Sequence, residues 1–182
     1  MSVITLKNVR LSFPQLWTPK AYMEGQTAKF SANFLLDKET DKGQLSDFKK
    51  AVKQAATLAF NGDIPKGLKT CLGDGVEKAY DGYENSMFVS CSSRQRPVII
   101  DRDRTPLVEE DERPYAGCFV NAAVSLWVQN NQFGKRVNCN LQAIQFVKDG
   151  DTFGSGGVKV ESVFDDISAE QAADADDDDF LS

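Results

Sequence analysis

Two stretches constrain this chain more than any others: CFVNAAVSLWVQ and RVNCNLQAIQFV, twelve residues each, separated only by NNQFGK. Both are rich in β-branched and apolar residues, and a short linker containing a glycine joins them. That combination predicts a long antiparallel hairpin, with Gly134 supplying the turn. A chain that contains it is committed to an antiparallel sheet, and the remaining segments have to be placed around that sheet.

Upstream, SVITLKNVRLSF mixes β-branched residues with Lys7, Asn8 and Arg10 and suits a first, bent strand. KFSANFLL alternates Phe30, Ala32, Phe34 and Leu36 on one face with Lys29, Ser31, Asn33 and Leu35 on the other, the period of a strand. Between them PQLWTPKAYMEGQT has two prolines and a glycine and reads as a long loop. In QLSDFKKAVKQAATLAF, Leu45, Phe48, Val52, Ala55, Ala56 and Ala59 recur at helical spacing behind a cap at Ser46, which makes one helix. NGDIPKGLKTCLGDGVEKAYDGYENS reads as a long irregular segment, MFVSCSSR and PVIID as strands, RDRTPLVEEDERP as a charged loop, and GGVKVESVF as a last edge strand. Many antiparallel strands with one inserted helix favour a mainly β fold, an OB-fold-like five-stranded antiparallel barrel with long loops, over residues 1–164.

Residues 165–182 are different in kind. They hold eight acidic residues and neither Lys nor Arg, ending on ADADDDDFLS. Of 27 acidic residues in the chain this leaves nineteen in the body against 21 basic ones, so a net charge of −6 conceals a body at +2 carrying a disordered acidic tail. Such asymmetry points to nucleic acid or to a tail with its own partner. Phe180, after Asp174, Asp176, Asp177, Asp178 and Asp179, argues against a purely solubilising role. A flexible-chain estimate gives 18 residues a reach of roughly 23 Å, enough to find the protein's own cationic surface.

Several function classes drop out. The chain has no histidine, which excludes Ser-His and Cys-His nucleophile pairs. Asp-dependent nuclease chemistry would need DRD at 101–103 or EEDE at 109–112, and both sit among arginines and prolines in what reads as a self-neutralising loop. Cys71, Cys91, Cys118 and Cys139 form no CxxC pair and read as buried thiols, so no metal and no cofactor is expected. GSGG at 154–157 lacks the Lys-Ser/Thr ending of a phosphate-binding loop. No apolar run approaches the roughly 18 residues of a membrane span, and no signal-peptide layout opens the chain, so an intracellular protein is expected.

The positive signal is cations interleaved with aromatics, the two ingredients of sequence-independent single-strand binding. Trp17, Lys20 and Tyr22 share the first loop and Lys29 follows it. Tyr80 and Tyr83 flank the irregular segment, Arg94 and Arg96 follow a strand, and Phe133, Lys135 and Arg136 lie at the hairpin turn. Trp127 falls on the register opposite Val124, Leu126 and Val128, so it faces outward if they face the core. The alternatives are that Phe30 and Phe34 are core, that Trp127 meets a second layer or a homodimer partner, and that Lys135 and Arg136 are a solvated turn.

In order along the chain, RLSFPQLWTPKAY, KFSANFLLDKET and YAGCFVNAAVSLWVQNNQFGKRVNCNLQAIQFVKDGDTFG resemble single-stranded-DNA-binding proteins of tailed bacteriophages, over residues 3–154. The resemblance implies an OB-fold and sequence-tolerant binding of single-stranded DNA during phage replication and recombination. It also implies a non-enzymatic role in the cytoplasm of the infected host and a tail that docks on replication and recombination proteins. The rival reading of the residues is an acidic DNA mimic that regulates a nucleic-acid enzyme without binding DNA.

Overall fold

The computed structural model describes residues 3–21, 23–78, 80 and 82–153. Its elements are β1 (Ile4–Lys20), β2 (Lys29–Asp37), α1 (Lys42–Ala59), β3 (Lys69–Thr70), β4 (Leu72–Asp74), β5 (Ser86–Ser93), β6 (Val98–Ile100), β7 (Phe119–Asn131) and β8 (Gly134–Lys148). Five of them close a ring: β1 pairs with β2, β2 with β5, β5 with β8, β8 with β7, and β7 back with β1. This is the five-stranded OB-type barrel expected from the sequence, with α1 inserted between its second and third strands. The short β3 and β6 add to β8 in parallel, and β4 adds to β5.

The expected hairpin runs from Phe119↔Lys148 to Asn131↔Gly134. Gly134 takes a positive φ of 138°, and the Asn131 side chain accepts a hydrogen bond from the Phe133 N–H (2.9 Å), which closes the turn. Period-two alternation fills the interior. Ala32, Phe34 and Leu36 meet Val89 and Cys91 from β5, Val120, Ala122 and Val124 from β7, and Val137, Cys139 and Leu141 from β8, while Phe30 is buried at the start of β2. Helix α1 closes one side of the barrel with Leu45, Phe48, Val52 and Ala56. All four cysteines are buried and free, and burial pushes the Cys118 thiol up to about 11.

Three local expectations need correction. Trp17 and Lys20 do not lie in a loop, because β1 continues to Lys20. Pro14 and Pro19 are accommodated where the β1–β2 register slips, between Ser12 and Gln15 and again between Gln15 and Lys20, so neither ring removes a ladder donor. The helix begins at Lys42 rather than behind Ser46. Asp41 precedes it, and the Asp41 carboxylate accepts from the Asp37 N–H (2.9 Å) and from the Gln44 amide (3.1 Å), while Ala59 ends up exposed. The long irregular segment contains β3, β4 and a 3-10 turn at Gly75–Lys78. The expected edge strand GGVKVESVF and the acidic tail lie outside the described residues. No helix among the described residues is long and apolar enough to cross a membrane.

Candidate nucleic-acid interface

If one side of each barrel strand faces the core, the other builds the outer wall, and on four adjoining strands that wall is polar. Ser31 pairs with Ser92 and Asn33 with Ser90 across β2 and β5. Ser92 is level with Asn140 across the seam between β5 and β8, and Asn138 is level with Trp127 across β8 and β7. The result is a lane of hydroxyls and amides crossing the barrel at right angles to its strands. Two hollows lie along it. One, of about 490 Å³, is lined by Lys29, Ser92, Ser93, Arg94, Gln95, Trp127 and Asn140. The other, of about 340 Å³, is lined by Ser31, Asn33, Cys71, Ser90, Cys91, Ser92, Arg136, Asn138 and Cys139. Ser92 belongs to both, so they form one groove.

The cations and the ring come from different elements. Lys29 opens β2, Arg94 follows β5, and Trp127 projects from β7 with 40% of its surface exposed. The outward register of Trp127 follows from its neighbours: Val124 is fully buried, and Leu126 and Val128 pack against the core. Among the described residues no hydrogen bond, ion pair or ring contact ties the Lys29, Arg94 or Arg136 side chain, so their charge is available to a ligand. Lys20 stands opposite Lys29 at the same end of the β1–β2 pair, which adds a second ammonium group there.

Other residues expected at the site go elsewhere. Trp17 is half-buried against the core, and its carbonyl accepts a hydrogen bond from the Arg96 guanidinium (2.9 Å), which occupies Arg96 as a brace between β1 and the β5–β6 turn. Lys135 sits on the opposite register from Arg136, with its ammonium 5.8 Å from the Phe60 ring beyond the end of α1. Phe133 stands at the hairpin tip, 82% exposed. Tyr83 is only 1% exposed and is no surface platform. Its hydroxyl donates to Ser12 Oγ (2.8 Å) and accepts from Asn33 Nδ2 (3.2 Å), while burial raises its pKa and keeps the phenol protonated. Tyr80 is 47% exposed. Tyr22 and the tail residues Asp174, Asp176, Asp177, Asp178, Asp179 and Phe180 lie outside the described residues.

Sequence reasoning missed the floor. Ser90, Ser92, Gln95, Asn138 and Asn140 were not singled out, because small polar residues in strands read as the solvent side of an amphipathic sheet. The signal was present in the alternation itself: the face opposite Phe30 and Phe34 begins Lys29, Ser31, Asn33, one cation followed by small polar residues. Chemically, a neutral hydrogen-bonding floor, a ring at one side and cations at the rim suit an extended polyanion carrying flat bases. The acidic loop offers no competing chemistry. Asp101 pairs with Arg113 (3.3 Å), and Asp103 and Asp111 accept from the Thr105 and Val108 N–H groups, which folds the loop onto itself. Among the described residues no group of carboxylates or thiols is arranged to hold a metal ion.

Comparison with known proteins places this geometry. The family model described as Enterobacter phage Enc34, ssDNA-binding protein, matches residues 1–181. Protein p50 of Acyrthosiphon pisum secondary endosymbiont phage 1 is 42% identical over 176 residues, covering 91% of this chain and 94% of that protein. Among solved structures, the single-stranded DNA-binding protein from bacteriophage Enc34 in complex with ssDNA superposes with a TM-score of 0.77 at 26% identity, covering 84% of this chain and 89% of the other. The single-stranded DNA-binding protein gp2.5 of bacteriophage T7 shares the fold, with a TM-score of 0.58 at 13% identity over 91% of this chain and 96% of the other. The chain belongs to the Enc34 single-stranded-DNA-binding protein family.

Proposed function

We propose that this member of the family binds single-stranded DNA without reading its sequence, coating it during phage replication and recombination in the cytoplasm of the infected host. The observation that carries the reading is the convergence of Trp127, Lys29 and Arg94 on one groove whose floor is neutral and polar. Cations at the rim attract the phosphates, the indole takes a base, and the floor supplies hydrogen bonds without a fixed pattern. This is a binding role and asks for no catalytic group. A titration of indole fluorescence with oligothymidine, beside the matching duplex, tests it. Quenching with strong preference for the single strand is expected. Equal response to both, or none, removes the reading and leaves the DNA-mimic alternative.

The tail belongs to the same proposal. A body at +2 tethered to eight carboxylates carries its own competitor, held at a millimolar-scale effective concentration. Deleting residues 174–182 is expected to tighten oligothymidine binding several-fold at low salt, with the gain shrinking once the Debye length falls below roughly 8 Å. The same deletion removes Phe180 and is expected to abolish capture of a replication or recombination enzyme. Unchanged affinity at low salt would reduce the tail to a docking or solubility segment.

A further inference from the structure

We propose that Phe13 and Tyr80 form a second base-stacking station, on the far side of the polar lane from Trp127. The inference rests on the single-strand reading of the groove and extends its track. Phe13 lies in the β1 irregularity between Ser12 and Gln15 with φ at +46°, a left-handed conformation that a bulky side chain rarely adopts and that glycine would take freely. The strain does not bury the ring: Phe13 remains 51% exposed. Strained backbone that presents an exposed aromatic calls for a role at the surface.

Its setting is built rather than incidental. Tyr80 meets Phe13 edge-on, with ring centroids 4.9 Å apart, and is 47% exposed. Beneath both lies Tyr83, 5.3 Å from Tyr80 and 6.4 Å from Phe13, fixed by Ser12 and Asn33. A cluster whose purpose was packing would bury its members together. Here Tyr83 carries the burial, and the two outer rings keep about half their surface in water. The same hydrogen bonds join the cluster to the groove. Asn33 donates to Tyr83 with its amide and accepts from Ser90 Oγ (3.0 Å) with its carbonyl, and both Asn33 and Ser90 line the groove. The route over the outer wall from β1 across β2, β5 and β8 to β7 takes four strand spacings of about 4.8 Å, a path of roughly 19 Å around the barrel for the strand to follow. The occupant is an unpaired base of the strand already held at Trp127, and several nucleotides bridge the gap.

The test pairs Phe13→Gly with Tyr80→Ala. Glycine relieves the left-handed backbone, so the fold is retained or strengthened while the ring is removed. The double variant is expected to bind a twelve-residue oligothymidine about 5- to 150-fold more weakly than the wild type, the range of one lost base stack. Tyr80→Trp should restore binding and add a quenchable indole. A trinucleotide, too short to reach both stations, should lose little. Affinity for the twelve-mer within twofold of wild type, with an unaltered thermal transition, overturns the second station while leaving the groove reading intact. Wild-type protein that fails to bind the twelve-mer overturns the groove reading and this inference with it, and the two failures are told apart by that control.

Discussion

Two sides of one barrel use their cations in opposite ways. On the side built by residues 101–113 and 148–153, the positive charge apart from that of Arg104 is committed to the fold. Arg10 donates to the Gly117 and Asp151 carbonyls (3.1 and 2.5 Å) and lies over the Phe153 ring at 4.0 Å. Arg113 pairs with Asp101 and, like Arg102, stands over Phe146, and Lys148 stands over Phe119. On the groove side Lys29, Arg94 and Arg136 face a floor of serine and asparagine, with no anionic partner among the described residues. A count of basic residues treats the two sides as equivalent. Commitment distinguishes them: a cation already engaged by a carbonyl, a carboxylate or a ring gains less from a phosphate, because it must give up a contact to make one.

The largest effect expected from this contrast is on salt dependence. Lys29→Glu with Arg94→Glu should weaken oligothymidine binding more than tenfold at low salt and flatten the dependence of log affinity on log salt by about 1.4, near 0.7 per lost phosphate contact. The same reversals at Arg102 and Lys148 should leave the slope within about half a unit of wild type. Equal slopes for the two double variants would break the comparison.

A smaller effect separates the two tryptophans. Trp127→Ala is expected to weaken binding by about 1 to 3 kcal/mol with an unchanged thermal transition. Trp17→Ala, which removes a half-buried ring from the core, should instead lower the transition by about 4–8 °C. Titration and calorimetry on both variants check the pair, and exchanged outcomes would reassign them. Smallest is the split at the hairpin. Arg136→Glu should flatten the salt slope by about 0.7, and Lys135→Glu, on the opposite register beside Phe60, should leave it unchanged.

The fold was legible where period-two alternation met turn chemistry. KFSANFLL and the long hairpin declared their faces, and the helix declared its stripe through Leu45, Phe48, Val52 and Ala56. Legibility failed where a side chain's role depends on a partner distant in sequence. Nothing local marks Tyr83 as buried, since its pins are Ser12 and Asn33, 71 and 50 residues away. Nothing local shows that Arg96 is engaged by the Trp17 carbonyl, 79 residues away. Proline counting misplaced the end of β1, because a register slip absorbs what a regular ladder would reject. For the groove, residue type singled out Lys29, Arg94 and Trp127 one by one, and only the closed barrel could set them side by side.

The seam that closes the barrel is thin: β5 and β8 share the single register pair Ser92↔Asn140, between residues 48 positions apart. The β7–β8 hairpin is paired along its whole length and the seam at one position only, so the seam is the weakest joint of the ring and opens first. The polar lane crosses that same seam. On the proposed single-strand reading a bound strand would act as a clasp over that joint, and amide hydrogen exchange at Ser92 and Asn140 should slow more on binding than exchange within the hairpin. On that reading occupancy of the groove would set how long the barrel stays shut, and the protein would be held closed by the strand it covers.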